Sequence, residues 1–280
     1  MIILYHANCN DGSAAALAAW LKLGDEEHQY IGVSHGRPAP NVKDQDVIML
    51  DFCYSREILL SLKAKSIFIL DHHLSAQKDL SEPFPQHCNI SYEFDLTRSG
   101  AVMSWQYFFP QKPVPRLFAL IQDRDIWLNQ MRDGPFLSYG LSIIDSDFRA
   151  WKKLVDDEKL LDETINSGKA IAAFINKQID IIIPTCHFQQ VAGFEIPVVN
   201  APSFMVSDLV NQLLIAYPQA PFAAAYTDLL DIGMRNYSLR SENSREDVSK
   251  IAKQFGGGGH RNAAGFNIPM PKENKAPLVP

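Results

Sequence analysis

The stretch Ile67-Phe68-Ile69-Leu70-Asp71-His72-His73 decides the fold class. Four apolar residues of strand character stop at an acid and two imidazoles, side chains that bind metals or move protons. A buried strand has no use for them at its carboxyl end. Open α/β sheets do, because their ligands sit just beyond the carboxyl ends of parallel strands. The same design recurs upstream: Ile2-Ile3-Leu4-Tyr5 runs into His6, and Val47-Ile48-Met49-Leu50 runs into Asp51. One strand-end acid, or one histidine, is ordinary. Three such ends delivering His, Asp and Asp-His-His to one edge predict a metal site.

The segments between these runs fit a parallel sheet. A turn-rich stretch, Asn8 to Gly12, opens an alanine-rich helix over Ser13 to Trp20. A weaker strand over Gln29 to Val33, a Pro-rich loop and a helix from Ser55 to Lys63 complete βαβ alternation. From Gly100 the pattern turns helical, over Ala101 to Phe109, Val114 to Trp127, Asp147 to Val155 and Leu160 to Ile183, stopping at Pro184. Strands are then expected at Ile196–Asn200, Phe222–Thr227 and Ile232–Leu239, with helices at Val206–Ile215 and Val248–Phe255. The expected architecture is α/β: a mainly parallel, helix-flanked sheet over residues 1–184, a linker over 185–194, and a smaller α/β unit over 195–280 whose tail frays from Pro269.

The chain has 280 residues and a formal net charge of -6, which argues against a protein that coats long nucleic acid by charge. Met1 leads directly into a strand-like run with no leader-like segment, and no run approaches the roughly 18 to 20 apolar residues of a membrane span. The four cysteines, Cys9, Cys53, Cys88 and Cys186, lie in no zinc or redox spacing. A reduced, cytoplasmic protein without membrane contact is expected.

Three further groups bear on chemistry. Metals that activate water for phosphoryl chemistry need carboxylates and imidazoles converging from separate elements; His6, Asp11, Asp51, Asp71, His72 and His73 supply these. Asp123-Arg124-Asp125 adds an acidic pair that position alone leaves open between a site and a salt-bridged helix end. The segment Gly256-Gly257-Gly258-Gly259-His260-Arg261 offers backbone N–H groups and two cationic donors to an anion, and the small residues after it offer a helix N-terminus. Arg240 and Ser241 end a strand-like run nearby, where Arg240 is either a phosphate clamp or a surface arginine. The other histidines, His28, His35, His87 and His187, read as ordinary surface or core residues.

Taken together and in this order, these motifs resemble the DHH phosphoesterase superfamily with its C-terminal DHH-associated domain, over His6 to Gly265. The resemblance implies a parallel-sheet catalytic domain, a smaller substrate-binding domain and an active site in the cleft between them. It implies two divalent ions, Mn²⁺ first, with Mg²⁺, Co²⁺ or Zn²⁺ as alternatives. By the same resemblance Asp51 bridges both ions, His6 helps hold one, and Asp11, His72 and Asp123 hold the other. Asp71 orients a histidine from behind, and His73 faces the scissile phosphate. Arg240, Ser241, Gly257, Gly258, Gly259, His260 and Arg261 grip the rest of the substrate, and Arg98 and Ser99 match a further phosphate-contacting stretch. The chain departs from the pattern at Cys9, which stands where the first motif carries an aspartate. Three readings stay open there: ligation of a softer metal, a place beside the site without ligation, or a weakened first position.

The implied activity is hydrolysis of short oligoribonucleotides, linear diribonucleotides such as pGpG foremost, to 5′-mononucleotides. The acidic chain favours short substrates, since long strands are gripped by basic, aromatic-lined grooves. The alternatives are a polyphosphatase or pyrophosphatase, a 3′-phosphoadenosine phosphatase, and a nucleotide-binding regulatory protein with little turnover. Oligomeric state is not encoded in any of these motifs.

Overall fold

A computed structural model describes residues 1–85, 87–145 and 147–270. Two compact units divide the chain, Met1–Phe174 and Ile175–Pro280.

The first unit is built on five parallel strands, β1 (Ile2–His6), β2 (Gln29–Val33), β3 (Asp46–Leu50), β4 (Ser66–Asp71) and β5 (Ile90–Phe94), in the order β2-β1-β3-β4-β5. The chain leaves β1 toward β2 at one edge, then returns past β1 to β3. The connection direction therefore reverses between β1 and β3, and the crevice at such a reversal is where open α/β sheets bind ligands. His6 and Asp51 flank it.

Side chains alternate across the sheet with the period of two that a strand imposes. Ile3, Ile48, Leu50 and Leu70 face one core, while Ile2, Leu4, Val47, Met49, Ile67 and Ile69 face the other. Helices α1 (Asn10–Leu23), α4 (Gly100–Phe108) and α5 (Arg116–Asp125) pack on the first of these faces. The short helices α2 (Arg56–Ser61) and α3 (Leu74–Asp79) follow β3 and β4, and Leu59 of α2 joins the second core. Ala14, Ala15, Ala16, Ala18 and Ala19 of α1 are all fully buried. Their small side chains let α1 lie close against α4. Helices α6 (Gly134–Leu141), α7 (Phe148–Asp156) and α8 (Glu158–Ile182) follow, and the division between the units falls within α8.

The second unit carries a six-stranded sheet of β6 (His187–Val191), β7 (Phe194–Asn200), β8 (Ala223–Leu229), β9 (Met234–Arg240), β10 (Gly258–His260) and β11 (Ala263–Pro269), in the order β10-β11-β9-β8-β7-β6. Only β7 and β8 pair in parallel. Helices α9 (Val206–Ala216) and α10 (Val248–Gln254) accompany it. Two expectations are corrected here. Residues 185–194 do not form a linker throughout, because 187–191 become β6, hydrogen-bonded antiparallel to β7. The small residues after Arg261 open no helix; Ala263–Gly265 pair with β9 and β10 as a strand. The expected fraying of the tail lies, beyond Met270, outside the described residues. Among the described residues, no helix is long and apolar enough to cross a membrane.

Candidate metal centre

Each candidate ligand arrives on a different element. His6 ends β1, Cys9 and Asp11 open α1, Asp51 follows β3, and Asp71, His72 and His73 close β4. Asp51 has φ 54°, in the left-handed region that Asp tolerates better than most residues. Held there, its carboxylate faces two neighbours: Oδ1 lies 3.0 Å from His72 Nε2 and Oδ2 lies 3.5 Å from His6 Nδ1. Gly100 makes this approach possible, because a Cβ there would stand 2.5 Å from the Asp51 Cβ.

Three donor groups form at the strand ends of the first unit, the ligand atoms of each within 4.8 Å of one another: His6, Cys9 and Asp51; Asp11, His72 and Asp125; and Asp51, Asp71, His72 and His73. His72 Nε2 is 3.6 Å from Asp11 Oδ2 and 3.5 Å from Asp125 Oδ2. The remaining capacity of Asp11 goes to α4, whose first amides, Gly100 N–H and Ala101 N–H, donate to its carboxylate at 2.6 and 3.0 Å. Helix N-termini stabilise negative charge in this way.

Asp71 has a different role. Its Oδ1 accepts from His72 N–H at 2.7 Å, from His73 N–H at 3.3 Å, and pairs with His73 Nδ1 at 2.7 Å. One buried oxygen thus fixes the backbone and the ring that follow it, the arrangement by which a carboxylate sets a histidine's tautomer.

The electrostatics favour a cation. Burial, and then the charges of Asp51 and Asp125, push the Asp11 carboxyl well above its ordinary range. Burial also raises Asp125, with Asp51 adding to the effect. For Asp51 burial opposes ionisation, yet His6 and His72 beside its two oxygens outweigh it and hold the carboxyl below its usual range. Burial opposes charging of His72, but the Asp51 hydrogen bond prevails and raises it to about 10. His73 is likewise raised to about 9 against its burial, by the Asp71 charge and hydrogen bond. Three buried or half-buried carboxylates share one imidazole, and Asp51 Oδ2, on a residue 1% exposed, makes no hydrogen bond. This donor set fits divalent cations, which neutralise the excess charge and occupy the unused oxygen.

Asp123 is not a member. The structure places its Oδ1 2.8 Å from Gln130 N–H, and its backbone carbonyl accepts from Leu128 N–H and Asn129 N–H at 3.0 and 3.3 Å. Asp123 holds the loop that leaves α5, and the acid beside His72 is Asp125. Two residues apart on a helix lie on nearly opposite faces, and Asp125, four residues beyond the buried Ile121, continues its face; that spacing was the available signal. The loop also turns Trp127 and Asn129 into left-handed conformations, φ 57° and 52°. The Trp127 ring lies 4.7 Å from the Arg124 guanidinium.

Arg98 and Ser99 are engaged within the first unit. Arg98 pairs with Asp95, Glu93 and Gln106. Ser99 is fully buried as the N-cap of α4, accepting from Val102 N–H, and also hydrogen-bonds Asp11. Arg98 is thus engaged at the edge of β5 and with α4, and Ser99 at the start of α4. His35, read as ordinary, stacks on Phe52 at 4.6 Å between ring centroids and lies 5.9 Å from the His6 ring. Burial and the charges of His6 and His73 push it down to about 4. It follows β2 as His6 ends β1, so the strand-end rule applied to the weakest strand would have found it.

In the second unit, Arg240 donates to Ser207 Oγ at 2.7 Å and to Leu239 O at 2.9 Å. Ser241 donates to Glu242 O, and Arg261 donates to the Asn243 and Arg245 carbonyls. His260 ends β10, and Gly258 and Gly259 precede it in the hairpin with β11. A Cβ at Gly257 would stand 2.1 Å from Gly265 O, so this glycine is required by the closeness of β11 whatever else the segment binds.

No family model matches the chain. An uncharacterized protein of Acanthamoeba polyphaga mimivirus is 35% identical over 288 residues, covering 95% of this chain and 66% of the relative. The oligoribonuclease NrnB of Bacillus subtilis (strain 168) is 25% identical over 221 residues, covering 71% of this chain and 52% of NrnB. The chain thus spans just under two thirds of the first relative and about half of the second. Among solved structures, RecJ from Thermus thermophilus, in complex with Mn²⁺, superposes with a TM-score of 0.53 at 12% identity, over 97% of this chain and 49% of that one. The sheet order, the strand-end Asp-His-His, the carboxylate between two donor groups and these likenesses converge on the fold shared by the DHH phosphoesterases.

Proposed function

We propose that the chain is a two-metal phosphodiesterase that hydrolyses short oligoribonucleotides, linear diribonucleotides such as pGpG foremost, to 5′-mononucleotides. The observation that carries this reading is Asp51, one carboxylate with an oxygen toward each of two donor sets. His6 and Asp51 would hold one ion; Asp11, His72, Asp125 and Asp51 would hold the other. A pair of bound divalent ions supplies an activated water and neutralises charge on the attacking and leaving oxygens.

The protein's own groups do the rest. Asp71 holds His73 by Nδ1, which favours a charged imidazolium, and such a ring beside a phosphoryl group stabilises the negative charge that develops there. Asp71 stands behind His73 and keeps its ring from turning. Mn²⁺ is the first choice for a set rich in carboxylate and imidazole, and the Mn²⁺ complex of RecJ supports it. The NrnB likeness and the net charge of -6 support a short RNA over a long one. The anion-binding role of Gly257–Arg261 with Arg240 and Ser241 belongs to the same proposal; a His260→Ala variant should raise KM more than it lowers kcat.

The test is mononucleotide release from pGpG, pApA and a longer RNA with Mn²⁺, with His72→Ala as control. Rapid, His72-dependent cleavage of the dinucleotides supports the reading. Preferential cleavage of long RNA, or of polyphosphate, moves the substrate class. Binding without turnover on any of them overturns the enzymatic reading.

A further inference from the structure

Cys9 occupies a position its residue type does not otherwise explain. It is the N-cap of α1, yet its side chain makes no capping hydrogen bond, and Ser, Thr, Asp or Asn would cap better. It is partly exposed and belongs to neither hydrophobic core of the first unit. Its sulfur lies within 4.8 Å of ligand atoms of His6 and Asp51. The buried Asp51 Oδ2, which makes no hydrogen bond, belongs to that same residue and points to a ligand at this place.

Resting on the two-metal reading above, we propose that Cys9 is a thiolate ligand of the ion held by His6 and Asp51, so that the centre has one sulfur-bearing position and one hard position. As the metal–sulfur bond forms, the S–H proton passes to solvent, since a coordinating thiol is deprotonated. The two positions then differ in kind. Nitrogen, sulfur and oxygen donors at the first select Zn²⁺ or Co²⁺, whereas two carboxylates, an imidazole and the shared Asp51 at the second suit Mn²⁺ or Mg²⁺. The chain is in this sense a mixed-metal protein, with its softer ion beside β1.

Titration of the full-length, metal-stripped protein with Co²⁺ tests this without reference to turnover. A near-ultraviolet thiolate-to-cobalt absorption should grow in and saturate at one ion per chain. Cys9→Ser should abolish it while Cys186→Ser keeps it. Cys9→Asp should abolish it, still bind two Mn²⁺ by equilibrium dialysis, and lose the preference for Zn²⁺ over Mn²⁺ at one position by at least about tenfold. Cobalt binding without the absorption, or an absorption that survives in Cys9→Ser, overturns the proposal, as does a chain that binds no metal. The two readings separate cleanly. The absorption without cleavage of any phosphodiester keeps Cys9 as ligand and removes the substrate reading, while cleavage of pGpG without the absorption does the reverse.

Discussion

Asp71-His72-His73 and Asp123-Arg124-Asp125 sit on a strand and a helix, yet divide their labour alike. In each, the first acid is almost fully buried and its carboxylate serves the backbone: that of Asp71 takes the amides of His72 and His73, and that of Asp123 takes the amide of Gln130. The later residues, His72 and Asp125, meet at Asp11, and Asp71 stands with His72, His73 and Asp51. An acid at the end of an element is thus no ligand by virtue of being an acid. Where backbone amides need an acceptor, one oxygen of the nearest carboxylate goes to structure. Asp95, after β5, extends the pattern by serving Thr97 and Arg98 at the sheet edge.

The sharpest way to break this pairing is to exchange roles. Asp125→Asn should cost more in turnover and in metal retention than the roughly 10–100-fold typical of residues one step behind a ligand. Dialysis against Mn²⁺ together with product release measures both, and an Asp123→Asn variant that suffers more than Asp125→Asn would reverse the assignment. Asp71→Asn comes next, with a loss of about 10–100-fold in kcat while two ions are still retained. A shift in the pH–rate profile should accompany it, because His73 loses the partner that holds its proton. Asp123→Ala should act on stability instead: leaving the Gln130 amide without its acceptor costs on the order of 1–3 kcal/mol, read as a lower unfolding midpoint with both metals still bound. The smallest effect belongs to Asp95. Its hydrogen bonds with Thr97, aided by Arg98, hold its carboxyl at about 2. The stability it contributes is therefore present above the ordinary carboxylate range and is lost as pH falls through about 2. Asp95→Asn should flatten that acid limb and leave neutral-pH stability slightly lower.

The sequence made the strand-end residues readable because a parallel strand buried on both faces leaves only its end for polar groups, and β1, β3 and β4 all follow that rule. Asp125 was harder to read. The choice between two acids two residues apart depends on which amides the following loop leaves unpaired, and that loop is held by left-handed residues no periodicity reveals. β5 and α6 were not expected for related reasons. Ile90-Ser91-Tyr92-Glu93-Phe94 is an edge strand, largely exposed, without a continuous apolar run. Gly134–Leu141 contains two glycines and a proline, poor helix formers, and relies on burying Leu137 and Leu141 in the core beside α5. The β6 strand was hidden in the same way, since His187 and Phe188 lie exposed at an edge.

The turn that follows Asp125 also gives the molecule an optical reporter. Of its four tryptophans, Trp127 is the one exposed beyond a third of its surface, at 38%, while Trp105 and Trp151 are buried. Its indole stands two residues from a candidate ligand and under the Arg124 guanidinium. An ion that draws on Asp125 alters the field at that ring. Filling of the Asp125 position should therefore be visible as quenching of the long-wavelength tryptophan emission, with no label and no substrate.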